Sequence, residues 1–365
     1  MTRRMSWRAG ARITAGLLAA VIAGSAAVLA EEREEALEKR VSLDGAKQVV
    51  VKNVRGDVRI AGERDRDDVR CQFLKQARGR KREEVDRVFA AMDVEITRNG
   101  NDIVIEAIYP KRRESDRGLL ALIMQQYTNM RVDLDISVPA AIAVGVAAGS
   151  GDVAVADIGG AVEISAASGD IDVRRLGASL EIQVSSGDII VEDAAGPITL
   201  ATASGGIDAV RVRGDASLRS ASGDITASDI GGNVACVSTS GDVSVAGVGS
   251  VEFGGTSGSA IFTDVRGGVT AGTASGDIEI AAAPQGPANF SITSSSGEIV
   301  LTFVGAMPGG FALKAQTTVG EISVRLPIEL HKINRRYLSG VVREGKSVVA
   351  IESSSGDIVI TESGE

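Results

Sequence analysis

Ser168-Gly169-Asp170-Ile171-Asp172-Val173-Arg174-Arg175-Leu176-Gly177-Ala178-Ser179-Leu180-Glu181-Ile182-Gln183-Val184-Ser185 is followed at once by Ser186-Gly187-Asp188-Ile189-Ile190-Val191, the same opening eighteen residues on. Ser-Gly-Asp with Ile or Val after it recurs around Gly151, Gly169, Gly187, Gly223, Gly241, Gly276 and Gly356, and degenerate copies around Gly205, Gly258, Gly297 and Gly320 fill the gaps. From Gly151 to Gly276 the glycines step by 18, 18, 18, 18, 18, 17 and 18 residues, and then by 21, 23 and 36. Within a period apolar residues alternate with polar ones, as strands require: Ile171/Val173 after the glycine, Leu180/Ile182 half a period later, and a corner residue, Leu176, between them. One such unit cannot bury its apolar face, whereas stacked units pair each strand with its counterpart one period on. The expected fold is all-β: a single-chain parallel β-solenoid (β-helix) of about eleven ~18-residue coils, roughly 50 Å long at the ~4.8 Å spacing of paired strands.

Composition agrees. Glycine is 44 of 365 residues against 7 prolines, so the excess marks tight corners rather than a disordered linker, and 3% aromatics leave a core of Val, Ile, Leu and Ala. Residues 1–30 read as a signal peptide: Arg3, Arg4, Arg8 and Arg12, then an uncharged stretch from Ile13, then small residues before cleavage after Ala30. Thr2-Arg3-Arg4 fits twin-arginine export poorly at Ser6 and Trp7. Cleavage removes four arginines and no acid, taking net charge from −9 to −13. The excess lies wholly in residues 136–365, with 13 basic against 26 acidic side chains, a sign that repels nucleic acid.

The expected order is a signal peptide (1–30), a charged linker (31–44), an N-terminal α+β capping segment (45–147) carrying an insertion at 111–130, and the β-solenoid repeats (148–362) with an insertion at 329–346. The cap is read as strands Gln48–Val54, Asp68–Lys75, Val94–Thr97, Ile103–Tyr109 and Val132–Val138 with a helix around Glu83–Met92. Gly56-Asp57-Val58 is a lone early copy of the turn.

With this periodicity on the page, the chain resembles the bacterial "putative adhesin" family of β-strand repeat proteins (DUF4097 type). The run Val49-Val50-Val51-Lys52-Asn53-Val54-Arg55-Gly56-Asp57-Val58-Arg59-Ile60 is similar to the family's opening segment, and Val132–Pro139 to its strand ending in Val-Pro. The resemblance covers residues 45–362. It implies a β-repeat fold and an adhesin-like role, and brings no catalytic motif.

Asp152, Asp170, Asp188, Asp224, Asp242 and Asp277 should form a column broken at Gly206 and Ser259. Stacked carboxylates repel, so corner amides or a cation such as calcium must hold them. Calcium-binding rolls place their motif every nine residues, so turn aspartates are the preferred reading. A hexapeptide acyltransferase is excluded by Asp170, six residues after Ile164, and by the place of the only histidine, His331, outside the regular coils. A polysaccharide-processing β-helix enzyme needs acids beside a Lys or Arg base; Asp170, Asp172, Arg174 and Arg175 come nearest, and ordinary ion pairing accounts for them. Of the two Arg-Gly-Asp tripeptides, Arg55-Gly56-Asp57 coincides with the turn motif, and both it and Arg213-Gly214-Asp215 are read as coincidence rather than as integrin-type recognition, which needs an exposed, protruding loop. Cys236 reads as a core residue and Cys71 as a free thiol. The apolar stretch Gly118–Tyr127, flanked by Lys111, Arg112, Arg113, Arg117 and Arg131, reads either as a cap over the first coil, which is preferred, or as contact with an anionic membrane surface.

No catalytic, cofactor-binding or metal residue is assigned. The expected function is an exported non-enzymatic cell-envelope protein, periplasmic or at the cell surface, an adhesin-like rod serving as binding or scaffold surface. Its partner is an envelope or surface component, protein rather than glycan, with the oligomeric state open. The alternative is a periplasmic envelope-stress or regulatory accessory protein.

Overall fold

The computed structural model describes residues 31–110 and 130–364. The expected signal peptide, and the insertion at 111–130 apart from Met130, lie outside them. Strands β1 (Glu31–Ser42), β2 (Gln48–Arg55), β3 (Val58–Glu63) and β4 (Asp68–Gly79) precede helix α1 (Arg82–Ala90). After β5 (Asp93–Asn99), β6 (Asp102–Ile108), β7 (Arg131–Pro139), β8 (Ala143–Ser150) and β9 (Val153–Ala156) come sixteen strands, β10 (Val162–Ser168) to β25 (Ile299–Val304), among them β11 (Ile171–Leu176) and β24 (Phe290–Ser296). The chain ends with β26 (Phe311–Val319), β27 (Ile322–Arg325), β28 (Glu329–Asn334), β29 (Tyr337–Val342), β30 (Ser347–Ser355) and β31 (Ile358–Ser363).

The solenoid is two-faced. From β7 to β27 successive strands alternate between a 15-stranded and a 16-stranded sheet, and each pairs in parallel with a counterpart one coil away. Ile171, Ile189, Ile207 and Ile225 lie in one register row, and Leu180, Ile182, Ile198 and Leu200 face them from the other sheet, all buried. One corner carries the Ser-Gly-Asp turn. The other carries Ile158, Leu176, Ala194, Val212, Ile230 and Val248, also buried.

Glycine is needed at the first corner for two reasons at once. Gly187 has φ +140, and a Cβ there would lie 2.1 Å from the Gly169 carbonyl oxygen. The same contact repeats up the column, which holds the eleven expected glycines and also Gly56. Twelve turns are therefore stacked, not eleven.

The ends differ from the reading of the sequence. Residues 31–42, expected as part of a linker, form β1 and pair antiparallel with β4 over their whole length. Charge is what an exposed edge strand carries, and here it has partners: the Arg33 guanidinium lies 4.4 Å from the centre of the buried Phe89 ring, and Lys39 donates to Asp93 at 3.0 Å. Nor does the solenoid begin only at residue 148. β2 and β3 form a full coil, pairing with β8 and β9 on one side and with β6 and β7 on the other. The helix buries Val85 and Phe89, one turn apart. At the far end, sequence order and spatial order part: β30 lies between β24 and β26, and β31 between β25 and β27. The insertion at 329–346 supplies β28 and β29, an antiparallel hairpin beyond β26.

Candidate functional site

The aspartate column is occupied by backbone. Asp152 Oδ1 accepts the Asp170 N–H at 3.0 Å, Asp170 Oδ1 that of Asp188 at 3.1 Å, and Asp188 Oδ1 that of Gly206 at 2.8 Å. Asp224, Asp242 and Asp277 do the same for Asp242, Ser259 and Glu298 at 2.8 to 2.9 Å. Each carboxylate thus satisfies an amide that the turn leaves without a ladder partner. Gly206 and Ser259 end runs because neither offers a carboxylate. Among the described residues no three potential metal ligands come together.

Both Arg-Gly-Asp tripeptides sit within corners. Asp57 pairs with Arg131 at 3.1 Å and accepts the Asp152 N–H, and Asp215 accepts that of Asn233 at 2.8 Å. Cys71 and Cys236 are both buried free thiols, each pushed up to about 12 chiefly by burial.

The opposite corner has the different chemistry. Before the first five of these buried corner side chains stand Asp157, Arg175, Asp193, Arg211 and Asp229, spaced eighteen apart, each with a left-handed backbone, φ 55 to 62°. Aspartate enters that region readily and arginine does so at a cost. The signs alternate, so stacking in register brings unlike charges together. Arg175 holds Asp157 through two hydrogen bonds, at 2.6 and 2.8 Å, and Arg211 holds Asp193 at 2.6 and 3.2 Å. These guanidinium hydrogen bonds keep both carboxyls below the usual range despite partial desolvation.

Alongside, on the sheet face, Arg174 grips Asp172 at 2.7 and 2.8 Å and reaches Glu192 at 3.6 Å. Burial, helped by Glu192, raises Asp208 above the ordinary carboxylate value. Gly62, Arg64, Asp157, Arg175, Asp193 and Arg211 are among the lining of an open groove of about 760 Å³ that runs along this corner to Asp229 and Gly231.

The structure therefore brings Arg174 to Asp172 and Arg175 to Asp157, while Asp170 sits at the other end of β11, bonded to the turn. The alternating column was missed by reading the sequence. Its signal was there, in the residue preceding Ile158, Leu176, Ala194, Val212 and Ile230.

A family model described as Toastrack DUF4097 matches residues 41–216 and again 192–361. The chain belongs to the Toastrack family. Its double match reflects one continuous Toastrack rod, since the two spans overlap within the regular coils. No curated protein matches this chain. Solved structures similar to this Toastrack chain include a putative adhesin from Bacteroides fragilis NCTC 9343, 16% identical, covering 67% of this chain and 97% of that one, TM-score 0.37. A putative lipid binding protein from Parabacteroides distasonis ATCC 8503 is 12% identical, covering 89% and 96%, TM-score 0.32. A putative cell adhesion protein from Clostridium sporogenes ATCC 15579 is 12% identical, covering 91% and 100%, TM-score 0.24.

Proposed function

We propose that this Toastrack protein is an exported, non-enzymatic rod of the cell envelope, and that the left-handed corner is where it binds a protein partner. The observation that carries this is the placement of its cations. Between residues 148 and 313 the chain has six basic side chains, all arginine. Arg175, Arg211 and Arg213 line the groove, and Arg174 is held just beside it. Elsewhere on the rod body only Arg219 and Arg266 are basic, so this stretch is where it meets a partner of mixed charge with least general repulsion. Paired, half-exposed guanidinium groups are also what a rim of interfacial hydrogen bonds requires.

The test has two parts. Protease shaving of intact cells, blotted against a periplasmic control, should cleave the mature chain first if it is surface-displayed; protection until the envelope is opened moves the rod to the periplasm. In either compartment, the chain's retention on an immobilised envelope protein fraction should fall at least tenfold in Arg175→Glu/Arg211→Glu, with unchanged circular dichroism. Equal retention by this variant overturns the assignment of the groove.

A second reading, contact with an anionic membrane surface through 111–130, is favoured by where that segment leaves and re-enters the fold. The described residues that flank it lie at the glycine corner of an outer coil, Tyr109 on the Arg55 carbonyl and Met130 in a recess shared with Arg55, Arg78 and Arg131. Flotation of the chain with vesicles containing anionic lipid, and its loss on deleting 112–129, would select this reading over the groove.

A further inference from the structure

The last coil of the chain is not the last coil of the rod. β30 and β31 fill a slot whose two walls come from earlier in the sequence, β24 and β25 on one side and β26 and β27 on the other. The slot is closed by buried side chains, with Phe290, Ile292 and Phe303 in one wall and Phe311 and Leu313 in the other. The start of β30 is fixed by polar bonds as well: Ser347 Oγ accepts the Ala288 N–H at 3.1 Å, and Asn289 Oδ1 accepts the Val348 N–H at 2.9 Å.

A single short crossing leads into this slot. Phe311 lies opposite Val342 on one side and Ser347 on the other, so residues 343–346 pass over the start of β26. The crossing is cramped. A Cβ on Gly310 would lie 1.9 Å from the Val342 carbonyl oxygen, and Arg343 and Gly345 both have left-handed φ, 56° and 66°. Arginine is held there against its preference, and straightening the crossing would release it.

The same end carries a strand, β28, that is paired on one side only, with β29. All six residues of β28 are exposed, and Leu330 and Ile333 are 45% and 63% exposed.

We propose that two copies of this chain exchange their C-terminal coils, residues 347–363, and so form a dimer whose rods lie side by side along the corner crossed by residues 343–346, within the ~18 Å that this crossing spans when extended. Every contact the coil makes within its own chain is remade in the partner's slot, so exchange sacrifices none of them. What is gained is an extended crossing in place of the strained one.

Thr302 and Thr361 face each other on β25 and β31, with hydroxyl oxygens 3.1 Å apart. Thr302→Cys/Thr361→Cys in the mature chain, refolded under reduction and then oxidised, reads the topology directly. Exchange predicts a disulfide-linked dimer on a non-reducing gel, its fraction rising with refolding concentration. A disulfide confined to one chain at every concentration overturns it, whether or not a non-covalent dimer forms. If the pair does not oxidise, two differently tagged chains give the same answer. Mixed dimers that form only after joint unfolding and refolding support exchange; mixing on simple dilution, or no dimer at all, overturns it. At the crossing, Arg343→Gly should lower the dimer-to-monomer ratio several-fold and Arg343→Pro should raise it. Both variants lose the Arg343–Glu362 pair, so the difference between them reports the backbone alone, and equal ratios overturn the hinge.

Discussion

Two residues per coil fix the first corner. Glycine there is short of room as well as bound to a positive φ, so Gly187→Ala should cost at least ~2 kcal/mol, measured by urea unfolding. Its neighbour aspartate acts as an acceptor for an amide. Asp170→Asn keeps an acceptor and should stay near wild type, whereas Asp170→Ala should lose about 1 kcal/mol. A melting temperature that rises with calcium in the wild type and not in Asp170→Asn would contradict that role. At the second corner the Arg175–Asp157 and Arg211–Asp193 pairs hold their carboxyls below the ordinary value. Such groups add stability that is present above the unfolded carboxylate pKa of ~3.9 and is lost as pH falls through the lower folded value. Arg175→Ala should therefore flatten the acid limb of a stability–pH curve below about pH 4 and cost no more than ~1 kcal/mol at pH 7, both partners being half exposed.

Among the elements, regular strands were legible and their covers were not. Ile171–Val173 and Leu180–Ile182 announce themselves because each strand shows one apolar face to a core and repeats it eighteen residues on. β1 does not, since an edge strand covering another strand's backbone needs hydrogen bonds and charge more than an apolar stripe. Its Glu31–Glu35 run thus reads as linker, although Arg33 and Lys39 are anchored on α1 and β5. The position of β30 was equally hidden, because the Ser-Gly-Asp signal marks a coil and says nothing about which coils it lies between. The candidate site was half legible: Arg174, Arg175 and Asp172 were singled out, but their column was not followed through Asp157, Asp193 and Arg211. The first coil is closed by a buried polar plug, in which the Tyr109 hydroxyl sits between Asn53 Oδ1, at 2.7 Å, and the Arg55 carbonyl. Burial pushes this phenol up to about 12. Stability from keeping it neutral is whole below the unfolded value of ~10 and is lost as pH rises through about 12. Tyr109→Phe should cost ~1–2 kcal/mol and remove a transition near pH 12 from an ultraviolet pH titration.

For the whole molecule, stability should behave as a sum over stacked coils and their interfaces, which makes the buried thiols useful reporters. Cys236 lies in the middle of the rod and Cys71 in the N-terminal cover. A thiol reagent should label neither in the folded protein, and under mild denaturant Cys71 should react first if the end frays before the centre. Labelling of both at one common rate would show instead that the rod opens as a single unit.

The alternation along the left-handed corner gives the rod a parity. Deleting residues 187–204 joins Ser186 to Gly205 and keeps every apolar row in step, yet it sets Arg175 directly beside Arg211. Deleting 187–222 removes twice as much and restores the opposite-sign neighbour, Arg175 beside Asp229. In this stretch the chain can shorten or lengthen evenly by two coils and only awkwardly by one, so its natural increment of growth is thirty-six residues rather than eighteen.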